Sequence, residues 1–257
     1  MLLTIDIGNT NIVFGVKQNT EWLNNWRIQT DPQKTADEYE VIFRTLIDSG
    51  VPDYTSISRI IFSSVVPSLV HPFNEMLANL FKNASILTVS PEIYPRLPIK
   101  ILNPYEIGSD LVANAVAAHH KYGKLTMVID FGTALTFTTI DAFSEIRGVA
   151  IAPGLGTAVN ALSGNTAQLP QIHLVPPPSV LGENTIHAIQ SGIVFGFTGL
   201  VESIIQRTQD EMKAKLTVVS TGGLSSVISP LTQMIDKTEP MLTLEGLALI
   251  AEIISNK

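Results

Sequence analysis

The sequence predicts an α/β protein made of two duplicated domains with mixed sheets. Asp-Ile-Gly-Asn-Thr at positions 6–10 returns in altered form as Asp-Phe-Gly-Thr-Ala at positions 130–134. Each copy lies between two short apolar runs, a pattern typical of a β-hairpin with a carboxylate at its turn. Three strands followed by alternating strands and helices are predicted twice, which indicates mixed sheets. We therefore expect domains at 1–118 and 119–257, with the two turns facing one cleft.

The first half begins with three strands in series between Leu2 and Ile28, with turns near Gly8–Thr10 and Gln18–Thr20. A helix follows Thr35 and ends near Gly50, because apolar residues recur there at helical spacing. An almost continuous apolar run then predicts a strand buried on both faces. The remaining expected elements are strands at Arg59–Val66 and Ser85–Val89, helices at Ser68–Phe81 and Ser109–Lys121, and a proline-rich loop at Pro91–Pro104.

The second half repeats this order. A helix is expected from Leu155 to about Ala167, and a long one over Glu183–Lys213 with a break near Gly196 or Gly199. The amphipathic segment Thr243–Ser255 closes the chain as a helix. The other expected elements are strands at Leu125–Asp130, Leu135–Ile140, Ile146–Ile151 and Leu216–Ser220, and an irregular segment at Leu169–Val180.

The composition excludes several classes of protein. No cysteine is present, so there is no disulfide framework, thiolate metal site or cysteine nucleophile. The net charge of −7 argues against a broad nucleic-acid-binding face. No signal peptide and no membrane-spanning run of about 18 uninterrupted apolar residues is recognised. None of the five histidines has an acidic partner at zinc-ligand spacing. We expect a soluble, acidic, cytoplasmic protein that binds neither nucleic acid nor membrane.

The hairpin turns carry residue types that suit a nucleotide with its cation. Gly8 permits a tight turn and close approach of a phosphate, Asn9 and Thr10 can donate hydrogen bonds, and Asp6 can hold a cation. An ordinary Gly-Asn turn would look the same. The second turn, with Asp130, Gly132 and Thr133, favours the functional interpretation because turn chemistry alone hardly explains the pair.

Gly108-Ser109-Asp110 stands at the start of the alanine-rich helix predicted from Ser109. Asp110 lies in the first turn, where the helix dipole favours a carboxylate, and helix capping is its common role there. The functional alternative is a general base for a substrate hydroxyl. Three signals are weaker. Thr221-Gly222-Gly223 leaves room for an adenine ring or ribose or is a plain turn, Ile151–Gly154 shapes a pocket wall or ends a strand, and Tyr105 lines a pocket or covers the helix start.

Together these motifs resemble the type III pantothenate kinases, members of the acetate-and-sugar-kinase/actin-like superfamily. The order and spacing of the matching motifs are specific, and they cover nearly the whole chain. They are Asp6–Asn11, Trp26-Arg27, Thr35–Tyr39, Ser64–Pro67, Asn103-Pro104, Gly108–Asp110, Asn114-Ala115, Asp130–Ala134, Ala150–Gly154, Thr166-Ala167, Leu169-Pro170, Gly182, Asn184-Thr185, Ser191-Gly192, Thr221–Gly223 and Thr243–Leu247.

The resemblance implies two RNase H-like, actin-like ATPase domains and transfer of the γ-phosphoryl group of ATP to the primary hydroxyl of pantothenate, the first step of coenzyme A synthesis. It implies that Asp110 is the proton acceptor and that Asp130 binds a monovalent cation, potassium or ammonium. It also implies a homodimer with the substrate pocket at the subunit interface. The implied ATP-binding residues are Asp6 (near magnesium, directly or through water), Ile7, Gly8, Asn9, Thr10, Asn11, Ile12, Val13, Gly132 and Thr133; those for pantothenate are Gly108, Ser109, Asp110, Leu111 and Thr185.

Three positions depart from the family pattern. Leu111 stands where the family motif Gly-x-Asp-Arg has arginine, Ile101 where an aromatic residue is frequent, and Gly148-Val149 where the family has Gly-Gly. The changes gather around the acceptor pocket, and three alternatives follow. The chain is an active pantothenate kinase, a kinase for another small hydroxyl compound, or a catalytically weakened nucleotide-binding homologue with a regulatory role.

Overall fold

A computed structural model describes residues 1–164, 170 and 172–255 of the chain. The fold divides into two units, one formed by Met1–Ala117 with Leu242–Lys257 and the other by Ala118–Met241. The predicted end of a helix near Ala167, and the matching residues Thr166, Ala167 and Leu169, lie outside the described residues.

The first unit contains a five-stranded mixed sheet in the order β3-β2-β1-β4-β5. The three strands that open the chain pair antiparallel, whereas β1 pairs parallel with β4 and β4 with β5. The strands are β1 (Leu2–Ile7), β2 (Asn11–Gln18), β3 (Glu21–Gln29), β4 (Arg59–Ser64) and β5 (Ser85–Thr88).

Helices complete this unit. Thr35 caps α1 (Ala36–Gly50) through a capping box with Glu38, as the helix signal at Thr35 predicts. Phe14 of β2 stacks on Phe43 of α1 with ring centroids 4.1 Å apart, inside a core of fully buried aliphatic and aromatic side chains. The other helices are α2 (Pro67–Leu80) and α3 (Ser109–Tyr122), of which residues 109–117 belong to this unit. A 3₁₀ segment at Pro91–Arg96 lies within the predicted proline-rich loop.

The second unit contains a second five-stranded sheet in the order β10-β9-β6-β7-β8. Its first three strands pair antiparallel, and β6 pairs parallel with β9 and β9 with β10. Strand order and direction therefore repeat those of the first sheet, which confirms the predicted duplication. The strands are β6 (Thr126–Phe131), β7 (Ala134–Ile140), β8 (Ile146–Pro153), β9 (Thr217–Thr221) and β10 (Lys237–Thr238).

The helices of the second unit are α4 (Leu155–Gly164), α5 (Thr185–Met212) and the short α6 (Ser225–Ile228). The predicted break of α5 near Gly196 or Gly199 is wrong, because the helix runs without interruption through both glycines. Among the described helices, α5 alone is long and apolar enough to cross a membrane, and 44% of its most apolar stretch is buried. Val194 and Val201 of α5 belong to the core of this unit, so α5 serves as a core helix.

The prediction that the second domain extends to residue 257 is wrong. The closing helix α7 (Leu242–Ser255) belongs to the first unit. It packs against β1, β2 and β4 and crosses α3 at Gly246, whose α-carbon lies against the carbonyl of Ala113. The Thr243 hydroxyl donates to Oδ1 of Asn114 at 2.8 Å. Its amphipathic pattern predicts that one face is buried, but a pattern within one helix does not specify which sheet covers that face.

Candidate active site

The first hairpin turn connects β1 to β2 and is held by the residue that follows β3. The Thr30 hydroxyl donates to the carbonyl of Gly8 at 2.6 Å, and the Thr30 N–H donates to the carbonyl of Thr10 at 2.9 Å. Asn9 and Thr10 are exposed at the tip. Gly8 does not have a positive φ, but a β-carbon there would lie 3.0 Å from the carbonyl oxygen of Asn11. Close packing therefore favours glycine at this turn.

Not every residue of the implied ATP-binding segment exposes its side chain. Ile7 and Ile12 are fully buried in the core of the first unit, so only their main-chain groups are available to a ligand. Asn9 and Thr10 are exposed, and Asp6, Asn11 and Val13 are half-buried. The polar side chains of the segment thus remain accessible, as contact with phosphates requires.

Asp6 is half-buried near the end of β1, opposite Ser63 of the parallel strand β4. The Ser63 hydroxyl donates to Oδ1 of Asp6 at 2.7 Å, and Ser63 has no solvent exposure. Hydroxyl-to-carboxylate hydrogen bonds are short and strong because the acceptor is charged. Sequence reasoning missed Ser63, since a serine in an apolar strand gives no signal of its own.

The predicted acceptor turn, Gly108–Asp110, begins α3 and is fixed to the end of β4. The Ser109 hydroxyl donates to the carbonyl of Ser64 at 3.3 Å. The α-carbon of Gly108 lies against the carboxylate of Asp110, so a β-carbon at Gly108 would collide with it. Leu111 is buried, with 7% of its surface exposed. The structure therefore brings Gly108, Ser109 and Asp110 together, while Leu111 packs inward.

Burial raises the pKa of the Asp110 carboxyl above the usual range of aspartate. The N–H of Leu111, which donates to Oδ1 of Asp110 at 2.9 Å, acts in the opposite direction. The pKa of the nearby Tyr94 phenol is raised to about 12, first by burial and then by the negative charge of Asp110. Asp110 is thus a stronger base than an exposed aspartate, and Tyr94 stays protonated.

The second hairpin turn connects β6 to β7 and is held in the same way as the first. The N–H of Gly154, the residue that follows β8, donates to the carbonyl of Thr133 at 3.0 Å. The Thr157 hydroxyl donates to the same carbonyl at 2.7 Å. Gly132 and Thr133 are exposed. The matching bond in the first unit runs from Thr30, so the duplication extends to how each turn is anchored.

The Thr221-Gly222-Gly223 segment packs against the second carboxylate. Gly222 has a φ of +88°, and a β-carbon there would lie 2.5 Å from Oδ1 of Asp130 and 2.7 Å from the N of Phe131. Asp130 is half-buried and pairs in register with Thr221 of β9. The weak glycine signal in the sequence therefore belongs to the surroundings of Asp130.

Thr185 is the first residue of α5, in the second unit, whereas Gly108–Leu111 belong to the first. It lines a cavity of about 510 Å³ formed by the start of α5, the segment before it and α4. Asn184 caps α5 by accepting from the N–H of His187 at 2.9 Å. The cavity wall is formed by Leu162, Gly182, Glu183, Asn184, Thr185, Ala188, Ile189, Gly192 and Ile193.

The acidic residues determine how a cation could be held. Among residues 1–164, 170 and 172–255, no group of three or more histidine, aspartate or glutamate side chains is placed to bind a metal ion. Mg²⁺ commonly uses one or two carboxylates together with substrate phosphates and water. Asp6, half-buried beside an exposed turn, fits that mode, and Asp130 offers one comparable carboxylate in the second unit.

Comparison with known proteins identifies the family. The model of the type III pantothenate kinases matches residues 2–207. The chain belongs to the type III pantothenate kinase family. A family member from Moorella thermoacetica is 45% identical over 98% of this chain and 99% of its own length. Another from Brevibacillus brevis is 44% identical over 98% of both chains.

Solved structures agree with the fold of this family. The activator of the 2-hydroxyisocaproyl-CoA dehydratase from Clostridium difficile, solved with bound ADPNP, has a TM-score of 0.56 and 13% identity over 99% of this chain and 96% of its own. The ethanolamine utilization protein EutJ from Carboxydothermus hydrogenoformans has a TM-score of 0.57 and 13% identity over 96% of this chain and 89% of its own. The two units, each built on one of the duplicated sheets, therefore have the RNase H-like, actin-like fold.

Proposed function

We propose that this chain is an active pantothenate kinase, which transfers the γ-phosphoryl group of ATP to the primary hydroxyl of pantothenate and forms 4′-phosphopantothenate. The observation that carries the proposal is the Asp110 carboxylate, half-buried in the first turn of α3 with its pKa raised by its partial removal from water. Family membership supplies the reaction, and this carboxylate supplies the group that reaction needs.

Asp110 accepts the proton of the pantothenate hydroxyl as the new O–P bond forms and the bond from the γ-phosphorus to the leaving ADP oxygen breaks. A loose phosphoryl-transfer transition state demands positioning and charge stabilisation more than strong base catalysis. Gly108 and Ser109 position the acceptor beside Asp110, and the bond from Ser109 to the end of β4 keeps this turn in place. Leu111 and Thr185 are assigned to pantothenate binding by their positions in the family's motifs.

ATP contacts are assigned to the two hairpin turns. The phosphates contact the segment Asp6–Val13, with the exposed Asn9 and Thr10 donating hydrogen bonds, and Gly132 and Thr133 contact the nucleotide from the second hairpin. Small polar side chains and main-chain N–H groups can donate hydrogen bonds to phosphate oxygens. The anchoring of each turn by the residue after the third strand supports this assignment, because a preorganised turn needs no reordering when ATP binds.

Two cations accompany the reaction in this proposal. Asp6 would hold Mg²⁺, directly or through water, and Asp130 would bind potassium or ammonium. When bound, these ions neutralise charge on the phosphates during transfer. The position of each carboxylate beside an exposed hairpin turn supports the assignment, since Mg²⁺ is commonly held by one or two carboxylates together with substrate phosphates.

We also propose a homodimer with the pantothenate pocket at its interface. Strand β8 lies at an edge of its sheet and exposes 70% of Ile151 and 38% of Val149. Leu181 and Ile186 beside Thr185 are exposed as well. Apolar surface of this kind favours cover by a second copy. Size-exclusion chromatography with light scattering tests this, and a monomer at micromolar concentration would contradict it.

The proposed setting is the cytoplasm, with neither nucleic acid nor membrane as a partner. The net charge of −7 opposes nucleic-acid binding, and the apolar helix α5 contributes to the core of the second unit.

The test of the function is an assay of the purified protein with ATP, magnesium, potassium and a panel of small hydroxyl compounds that includes pantothenate. Phosphorylation of pantothenate well above every other acceptor is expected. Phosphorylation of a different acceptor would replace the substrate. ATP binding with no product from any acceptor would favour the regulatory alternative, to which the buried Leu111 in place of arginine points.

A further inference from the structure

Ser63 and Asp6 form a buried pair at the end of two parallel strands. They are register partners between β1 and β4, and the Ser63 hydroxyl donates to Oδ1 of Asp6 at 2.7 Å. Ser63 is completely buried, so water cannot replace this hydrogen bond without a change in the packing. The carboxylate of Asp6 is therefore held in one orientation by a donor that the fold itself fixes.

A buried hydroxyl on this sheet does not need a carboxylate as its acceptor. Thr4 lies two residues before Asp6 on β1, is also fully buried, and donates instead to the main-chain carbonyl of Gly15 at 3.3 Å. Ser63 thus differs from a hydroxyl that only satisfies its own hydrogen bond. Its donor is directed at the functional carboxylate of the first hairpin.

The second repeat has the same arrangement in sequence register. Asp130 of β6 pairs with Thr221 of the parallel strand β9, and Thr221 is 99% buried, with 1% of its surface exposed. A buried hydroxyl residue therefore stands opposite the hairpin carboxylate in both sheets. Because the two sheets share strand order and direction, this is the same position in the fold.

We propose that Ser63 is a positioning residue for the cation site, which orients the Asp6 carboxylate toward the Mg²⁺ that accompanies ATP. This rests on the proposed role of Asp6. Because the hydrogen bond holds one carboxylate oxygen in place, it also fixes the plane of the carboxylate and the direction of its other oxygen. Such partners of a metal-binding side chain commonly change metal affinity or activity about 10–100-fold when they are removed.

The experiment compares Ser63→Ala, Ser63→Thr and the control Thr4→Ala in the full-length protein. Binding of ATP is measured by calorimetry over a series of Mg²⁺ concentrations and also in EDTA. Ser63→Ala removes the donor, Ser63→Thr keeps a hydroxyl of the kind found at Thr221, and Thr4→Ala removes a buried hydroxyl that does not contact Asp6.

For Ser63→Ala, the Mg²⁺ concentration that half-saturates the enhancement of ATP binding should rise about 10–100-fold, with ATP affinity in EDTA unchanged. Ser63→Thr should stay within about three-fold of the unmodified protein, and Thr4→Ala should match it in Mg²⁺ dependence even if its thermal stability falls. An unchanged Mg²⁺ dependence in folded Ser63→Ala would overturn the proposal.

The readout separates this inference from the proposed reaction. If the unmodified protein binds ATP in a Mg²⁺-dependent way but does not phosphorylate pantothenate, the acceptor is wrong and the role of Ser63 can still be measured. If its ATP binding does not respond to Mg²⁺ at all, both the role of Asp6 and that of Ser63 are wrong.

Discussion

The α-carbon of Gly222 packs directly against the carboxylate of Asp130. A β-carbon added at Gly222 would lie only 2.5 Å from Oδ1 of Asp130, so there is no room for one. The φ of +88° at Gly222 makes this approach possible, because a residue with a side chain rarely adopts it. The connection from β9 to α6 thus shapes the environment of the carboxylate near the end of β6.

Gly222→Ala should therefore lower both stability and activation by potassium. We expect a loss of about 1–3 kcal/mol in the free energy of unfolding, from backbone strain and from displacement of Asp130. Gly148→Ala is the matched control, since a β-carbon there meets nothing within 4 Å. Urea unfolding and a potassium titration of activity measure the two effects. Equal behaviour of the two variants would show that Gly222 does not constrain Asp130.

Gly246→Ala should destabilise the first unit. The α-carbon of Gly246 in α7 lies against the carbonyl of Ala113 in α3, and an added methyl group would force the helices apart. Gly199→Ala in α5 has open space around the new methyl group and gains about 1 kcal/mol of helix propensity. Thermal unfolding should give a lower melting temperature for Gly246→Ala and an equal or higher one for Gly199→Ala. A melting temperature of Gly246→Ala at or above that of the unmodified protein would disprove the close crossing.

The raised pKa of Asp110 has a consequence for the pH dependence of folding. Between the usual aspartate pKa and the raised folded value, the folded chain keeps a proton that the unfolded chain has lost. Stability contributed by this group therefore falls as pH rises through that window. Asp110→Asn cannot ionise, so it should unfold at a higher temperature than the unmodified protein at pH 7 and lose this difference near pH 3. A lower melting temperature at pH 7 would contradict burial of a charged carboxylate.

Leu111→Arg tests why the chain functions without the arginine of the family. A guanidinium beside Asp110 would favour the charged carboxylate and lower its pKa, whereas Leu111 is buried and uncharged. The acid side of the pH profile of kcat should move to lower pH by about one pH unit or more. Leu111→Met is the control, because it keeps the volume without adding a charge. A profile that stays in place in both variants would show that this position does not tune the base.

The duplicated α/β fold could be predicted from the sequence because the signals for its helices and hairpins are local. Thr35 and Glu38 satisfy the first turn of α1 by themselves, and the hairpins are specified by a glycine turn between apolar runs. The two-residue strand β10 was missed, since two residues carry no periodicity. The predicted domain of α7 was wrong because the amphipathic pattern of a helix does not specify the sheet against which it packs.

The sequence analysis named candidate residues on the two hairpin turns, but it assigned no anchoring role to the residues that hold those turns in place. Thr30, Ser63 and Gly154 act through contacts with residues distant in sequence, which only strand pairing reveals. The roles of Asp6, Asp110, Asp130 and Thr185 in binding and catalysis remain predictions, as does the cleft that both turns face.

The most direct test of the account is mass-spectrometric detection of phosphorylated pantothenate, made with ATP and magnesium by the unmodified protein and by Asp110→Asn, each with and without potassium. We predict product from the unmodified protein that depends on potassium, and a loss of about 10²–10⁴-fold in turnover for Asp110→Asn while ATP still binds. Equal turnover by the two proteins would show that Asp110 is not the base, and no product from the unmodified protein would contradict the assigned reaction.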